Sequence, residues 1–95
     1  MLSGKQKSYL RSKAHHLTPI FQIGKGGLTE PIIKQIEEAL EARELIKVSI
    51  LQNCEEDKSD IAAHLQEAGM EVVQIIGKII VVYKESQEKK QIVLP

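Results

Sequence analysis

The feature that most constrains this chain is a change of period that repeats along it. Residues at helical spacing alternate with short β-branched runs, and turn residues stand between them. Leu10, Ala14 and Leu17 follow the i, i+4, i+7 spacing of a buried helical stripe. Pro19 blocks continuation of that helix, and Ile20-Phe21-Gln22-Ile23 reads as a strand. Ile32, Ile33, Ile36 and Leu40 mark a second helix that runs to about Arg43. Thr29 serves as its N-cap, with Glu30 and Pro31 in its first turn. Leu45 to Leu51 alternates as a strand, with Ile46, Val48 and Ile50 on one side. Ile61, Ala62, Leu65 and Ala68 mark a third helix from about Lys58 to Ala68, closed by Gly69. Glu71–Ile76 and Ile79–Tyr83 are strands around Gly77-Lys78, where glycine suits a two-residue type II′ turn.

The order is therefore α-β-α-β-α-β-β. Strands joined by helices run parallel with right-handed crossovers, and a strand returning by a hairpin runs antiparallel. The pattern predicts an α/β two-layer sandwich with a mixed four-stranded sheet and the second and third helices on one face. Ile and Val on both sides of the last two strands demand cover on the other face as well. The first helix, the C-terminal stretch and a partner are the candidates. Residues from about Glu85 onward read as a polar tail ending in Ile92-Val93-Leu94-Pro95. The 95 residues make one domain, 1–95. Cys54 is the only cysteine, which excludes a disulfide scaffold and a zinc finger. No apolar segment follows the basic opening residues, and the stretch from Val72 to Tyr83 is broken by Gln74, Gly77 and Lys78, short of the roughly 20 residues of a membrane span. A soluble, cytoplasmic domain is expected.

Thirteen basic and thirteen acidic residues balance, but they are not mixed. Residues 1–29 hold Lys5, Lys7, Arg11, Lys13 and Lys25 and no acid; residues 30–95 hold eight basic and thirteen acidic residues, so the two parts carry +5 and −5. A split of this kind marks a polyanion-facing surface, although ordinary solvated faces also produce one. Ser3 and Gln6 have the form of a capping box opening a helix from about Gly4 to His15. On it Lys7, Arg11 and His15 share one face, with Lys5 and Lys13 farther round. Glu37, Glu38, Glu41 and Glu44 read as an acidic outer face on the second helix.

Gly24-Lys25-Gly26-Gly27 joins a strand to a helix. Glycine-rich loops before a helix N-terminus expose amides and a partial positive charge to anions, phosphate above all. A strand-to-helix turn needs glycine in any case, but three glycines and a lysine exceed that need. The loop is not a P-loop, since no lysine precedes the helix. It is not a dinucleotide fingerprint, since Thr29 stands where the third glycine belongs. G-x-x-G with a basic middle resembles the backbone clamp of KH domains, which there joins two helices. No nucleophile stands with a base at a recognisable spacing, and no metal-ligand cluster is evident. Tyr9, Phe21 and Tyr83 are the only aromatics, too few for a base-stacking platform. Recognition by backbone charge and shape follows.

The runs Leu2-Ser3-Gly4-Lys5-Gln6-Lys7, Leu10-Arg11-Ser12-Lys13-Ala14-His15-His16-Leu17 with Pro19, Ile23-Gly24-Lys25-Gly26-Gly27-Leu28-Thr29, Glu44-Leu45-Ile46-Lys47-Val48, Gln74-Ile75-Ile76-Gly77-Lys78 and Val82-Tyr83-Lys84 closely resemble the chloroplast RNA splicing and ribosome maturation (CRM) domain. A stand-alone domain of this length looks like its bacterial YhbY-type member. The resemblance implies the same α-β-α-β-α-β-β fold, similar to the C-terminal domain of translation initiation factor three. It also implies RNA binding, with precursors of the large ribosomal subunit as the partner. The family's proposed RNA contact maps to Gly24, Lys25, Gly26 and Gly27, with Lys5, Lys7, Arg11 and Lys13 as basic neighbours. His16 and Thr29 complete the candidate set. Lys84 departs from the arginine frequent in the family and cannot form its planar two-pronged contact. No catalytic residue, cofactor, metal, membrane or small-molecule substrate is expected, and the protein is expected to be a monomer. The competing readings are a small nucleotide- or phosphate-binding enzyme built on the glycine loop, and a protein-interaction module using the apolar hairpin and the Ile92-Val93-Leu94 stretch.

Overall fold

A computed structural model describes residues 2–95. The elements follow in the expected order: α1 (Gly4–Ala14), β1 (Phe21–Ile23), α2 (Glu30–Arg43), β2 (Leu45–Ile50), α3 (Lys58–Glu67), β3 (Glu71–Ile76) and β4 (Ile79–Tyr83). The strands lie side by side as β1-β2-β4-β3. β1 is parallel to β2, and β4 is antiparallel to both β2 and β3. The hairpin strand thus inserts between two strands that share a direction. Gly77 turns that hairpin at φ +57°, a conformation that favours glycine. β3 is an edge strand. Its pairing with β4 shifts register between Val72 and Gln74, a bulge of the kind that blunts sheet edges.

The two faces are covered differently. On the first, Ile36 and Leu40 of α2 and Ile61 and Leu65 of α3 close on Ile46, Val48, Ile80 and Val82. This follows from the two crossovers having one hand. On the second, Leu10 and Ala14 of α1 pack with Leu45, Val73, Val81 and Tyr83, and Leu2, Ile92 and Leu94 pack against them. Both chain ends therefore supply the cover that the β3–β4 sequence demanded. Leu17, expected in the buried stripe of α1, lies beyond the helix end and is exposed, because the helix stops at Ala14 and Pro19 redirects the chain.

Two further expectations are corrected here. Residues 85–95 carry no helix or strand, yet they are not a loose polar tail. Glu44 is not on an outer helical face: it is fully buried, with φ +65° at the C-cap of α2. Its carboxylate accepts hydrogen bonds from the amides of Ser86 (2.8 Å), Gln91 (2.6 Å) and Ile92 (2.8 Å). Glu41 accepts from the Ser86 hydroxyl (2.7 Å) and from the amides of Gln87 (3.0 Å) and Glu88 (3.1 Å). A segment without secondary structure must place its amides somewhere, and these two carboxylates take five of them. Burial pushes the Glu44 carboxyl up, but the three amides, aided by the Lys90 charge, outweigh it and hold it below its ordinary value. Burial raises the Tyr83 phenol, with the Glu44 and Glu85 charges acting in the same direction. Among the described residues, no helix is long and apolar enough to cross a membrane.

Candidate nucleic-acid interface

α1 is fixed from below and free above. Its capping box is complete: the Gln6 amide donates to Ser3 Oγ (3.1 Å) and the Ser3 amide to Gln6 Oε1 (3.0 Å). The same Gln6 side chain donates to the Pro95 carbonyl oxygen (3.3 Å), tying the helix start to the chain end. Leu10 and Ala14 anchor the helix against β2 and β3. Lys5, Arg11 and Lys13 are exposed and Lys7 is half-buried. Arg11 and Lys13 stand in the last turn, where cations oppose the helix dipole. Lys13 Nζ lies 5.5 Å from the centroid of the Tyr9 ring. His16 is exposed past the helix end, its ring 5.3 Å from that of His15 in an edge arrangement.

The glycine loop leaves the carboxyl end of β1 as a tight turn, in which the Gly27 amide donates to the Gly24 carbonyl (2.9 Å). Its three glycines differ in what the fold asks of them. Gly27 adopts φ +68°, and a Cβ there would meet Glu56 Oε1 at 2.7 Å. Gly27 is therefore required by the structure itself. Gly24 and Gly26 have no such constraint: a Cβ would sit 3.6 Å from Leu51 Cδ1 at Gly24 and 4.0 Å from Thr29 Cγ2 at Gly26, ordinary contact distances. Neither has a positive φ. Lys25 and Gly26 form the exposed tip, and their amides find no acceptor among the described residues. Thr29 holds the N-cap position of α2 in extended conformation, but its hydroxyl makes no capping bond and remains exposed.

Among the described residues, none of Lys5, Lys7, Arg11, Lys13 and Lys25 is paired with a carboxylate, whereas Lys84 reaches Glu37 (4.0 Å) and Lys90 reaches Glu85 (2.8 Å). The candidate cations stand on two elements, α1 and the glycine loop. α1 lies on the second sheet face, against β2 and β3; the loop extends from the end of β1. No hydrogen bond or ion pair joins them among the described residues. The protein measures 37 × 26 × 23 Å. The groove between α2 and α3 has an excess of the opposite charge: Glu30, Glu37, Glu38, Glu41, Glu67 and Glu88 line it against Lys34 and Lys84. It repels a phosphate and gives the molecule an anionic side.

Sequence reasoning missed Glu56, whose carboxylate accepts from the Leu28 amide (2.9 Å) at the base of the glycine loop. The available signal was the parallel pairing of β1 and β2. Parallel neighbours bring the loops after their carboxyl ends together, and here the Leu51 amide donates to the Ile23 carbonyl (2.9 Å). The acidic run Glu55-Glu56-Asp57 therefore had to lie beside the glycines. Cys54 is partly buried against the core and its Sγ contacts the Glu56 carbonyl oxygen at 3.5 Å, a packing role. No three His, Cys, Asp or Glu side chains gather as metal ligands among the described residues.

A mixed four-stranded sheet, an exposed basic helix and a glycine loop at a strand end define the class, and comparison with known proteins names it. The chain matches the CRS1 / YhbY (CRM) domain over residues 2–84 and belongs to that family. It is 69% identical, over the full length of both chains, to Probable RNA-binding protein YqeI of Bacillus subtilis (strain 168). It is 45% identical to a Haemophilus influenzae protein named RNA-binding protein, covering 94% of this chain and 91% of that one. A Staphylococcus aureus protein solved in solution shares the fold with a TM-score of 0.83 and 60% identity, with both chains fully covered.

Proposed function

We propose that this protein is a non-enzymatic, cytoplasmic RNA-binding factor that assists ribosome assembly. On this reading it docks as a monomer on ribosomal RNA within a large-subunit precursor, through α1 and the glycine loop. The observation that carries the reading is the contrast among the glycines. The fold accounts for Gly27 and leaves Gly24 and Gly26 unexplained, while the tip keeps two free amides beside Lys25. A missing side chain with no internal cause suits a surface that a phosphate backbone approaches closely. The unpaired cations of α1 supply a second, sequence-independent grip. The names carried by relatives at 69% and 45% identity point to the same ligand.

Lys5, Lys7, Arg11, Lys13, His16 and Thr29 are assigned to RNA contact together with Gly24, Lys25 and Gly26, while Gly27, buried and with its amide turned inward, shapes the loop that presents them. The test is the triple variant K7A/R11A/K25A with ribosomal RNA fragments. Affinity is expected to collapse while the melting temperature holds, since all three side chains lie outside the core. With about 4–6 phosphates contacted, the wild-type log–log salt slope should be roughly −3 to −5 and should flatten in the variant. RNA binding that survives the triple change overturns the assignment.

A further inference from the structure

The glycine loop contains an anion of its own. Glu56 Oε1 receives the Leu28 amide at 2.9 Å and lies against Gly27, where a Cβ would stand 2.7 Å from that oxygen and 3.2 Å from Glu56 Cβ. The Gly27 amide is already turned inward to Gly24. The segment carrying Glu56 is itself braced: Leu51 donates to the Ile23 carbonyl, and the Cys54 amide donates to the Leu51 carbonyl (3.0 Å). A continuous set of contacts thus runs from the end of β1 through residues 51–56 and back to the base of the loop. The Gly27 and Leu28 amides are thus taken, and the tip amides of Lys25 and Gly26 are left.

We infer that Glu56 is a positioning residue for RNA binding: it locks the base of the glycine loop so that only the Lys25–Gly26 tip receives a phosphate. This rests on the RNA-binding reading above. The physical reason is that a charge-assisted hydrogen bond fixes a glycine-rich segment that otherwise carries the largest backbone entropy of any sequence. A preorganised loop binds without that ordering cost. The carboxylate also excludes a second phosphate from the base by charge, which narrows the site to the tip.

The experiment compares E56Q and E56A in the full chain, reading affinity for a ribosomal RNA fragment and hydrogen exchange at the Leu28 amide. The glutamine keeps an acceptor for Leu28 and removes the charge, so exchange should stay slow and affinity should hold or rise a few-fold. The alanine removes the acceptor, so Leu28 should exchange faster and affinity should fall about tenfold, the scale of one charge-assisted bond. Wild-type affinity in E56A, or an equal fall in both variants, overturns the inference. K25A is the control: if it too leaves RNA affinity unchanged, the RNA-binding surface is wrong, while Leu28 exchange still decides whether Glu56 holds the loop.

Discussion

The two faces of the sheet are solved by different physics. The first is closed by α2 and α3, whose place is dictated by the crossovers that join β1 to β2 and β2 to β3. Its contacts are hydrocarbon on hydrocarbon. The second is closed by the two ends of the chain, α1 and residues 85–95, which no crossover obliges to lie there. Apolar residues on those ends are few, and the missing constraint is replaced by carboxylates. Glu44 and Glu41 gather the amides of the C-terminal segment, and Gln6 ties that segment to the start of α1. The face that carries the basic helix is therefore the one held by polar latches. The family match ends at residue 84, so the latch partners Ser86, Gln91 and Ile92 lie beyond it.

The sharpest way to break this contrast is E44A. Removing a buried carboxylate leaves three amides without acceptors, and the loss should be about 3 kcal/mol or more in denaturant unfolding, comparable with L40A on the first face at roughly 2–5 kcal/mol. E44A should also free α1, seen as faster amide exchange there, whereas L40A should leave α1 no looser than the rest. A loss for E44A below about 1 kcal/mol would show that hydrocarbon alone holds both faces.

Acid offers a milder form of the same test. Amide hydrogen bonds hold both latch carboxyls below the ordinary value of 4.5; at Glu41 the largest is that of Gln87, and at Glu44 they outweigh the opposing burial. A carboxyl with a lowered folded-state pKa stabilises the fold above its unfolded value and loses that contribution as pH falls through the folded one. Stability should therefore be flat from pH 7 to about 5 and decline below 4.5, and E44Q should flatten the decline. An acid limb unchanged in E44Q would place the sensitive groups elsewhere.

The glycines give the smallest effects and separate fold from function. G27A should destabilise by about 1–2 kcal/mol, because φ +68° strains an L residue and its Cβ meets Glu56. G24A and G26A should change stability by no more than about 0.5 kcal/mol, as surface substitutions do. G26A should nonetheless weaken RNA binding. Equal stability losses at all three positions would mean that the turn alone explains the glycines.

The legible part of the structure is the part written in neighbours. The Ser3–Gln6 capping box, the helix from Glu30 closed after Arg43, Gly69 after α3 and Gly77 in the hairpin all depend on residues within a turn of one another. Strand directions followed from what joins the strands. Leu17 failed because periodicity continues past the residue where Pro19 ends the helix. Thr29 took its N-cap position but not the capping bond, since local sequence sets the position and the rotamer answers to its surroundings.

The rest lay in residues far apart along the chain. Glu44 continues the acidic spacing of α2 and reads as solvated, yet it turns inward because the amides of residues 86, 91 and 92 arrive there. Glu56 looks like one acid among several until the β1–β2 pairing sets it against Gly27. The sequence by itself determined the order of elements, the hand of their connections and the excess of positive charge at the amino-terminal end. Only the tertiary structure decided which carboxylates become internal acceptors and which glycines the fold itself requires. The first set of properties is summed over adjacent residues; the second depends on which distant backbone amides are left without a partner once the chain has closed.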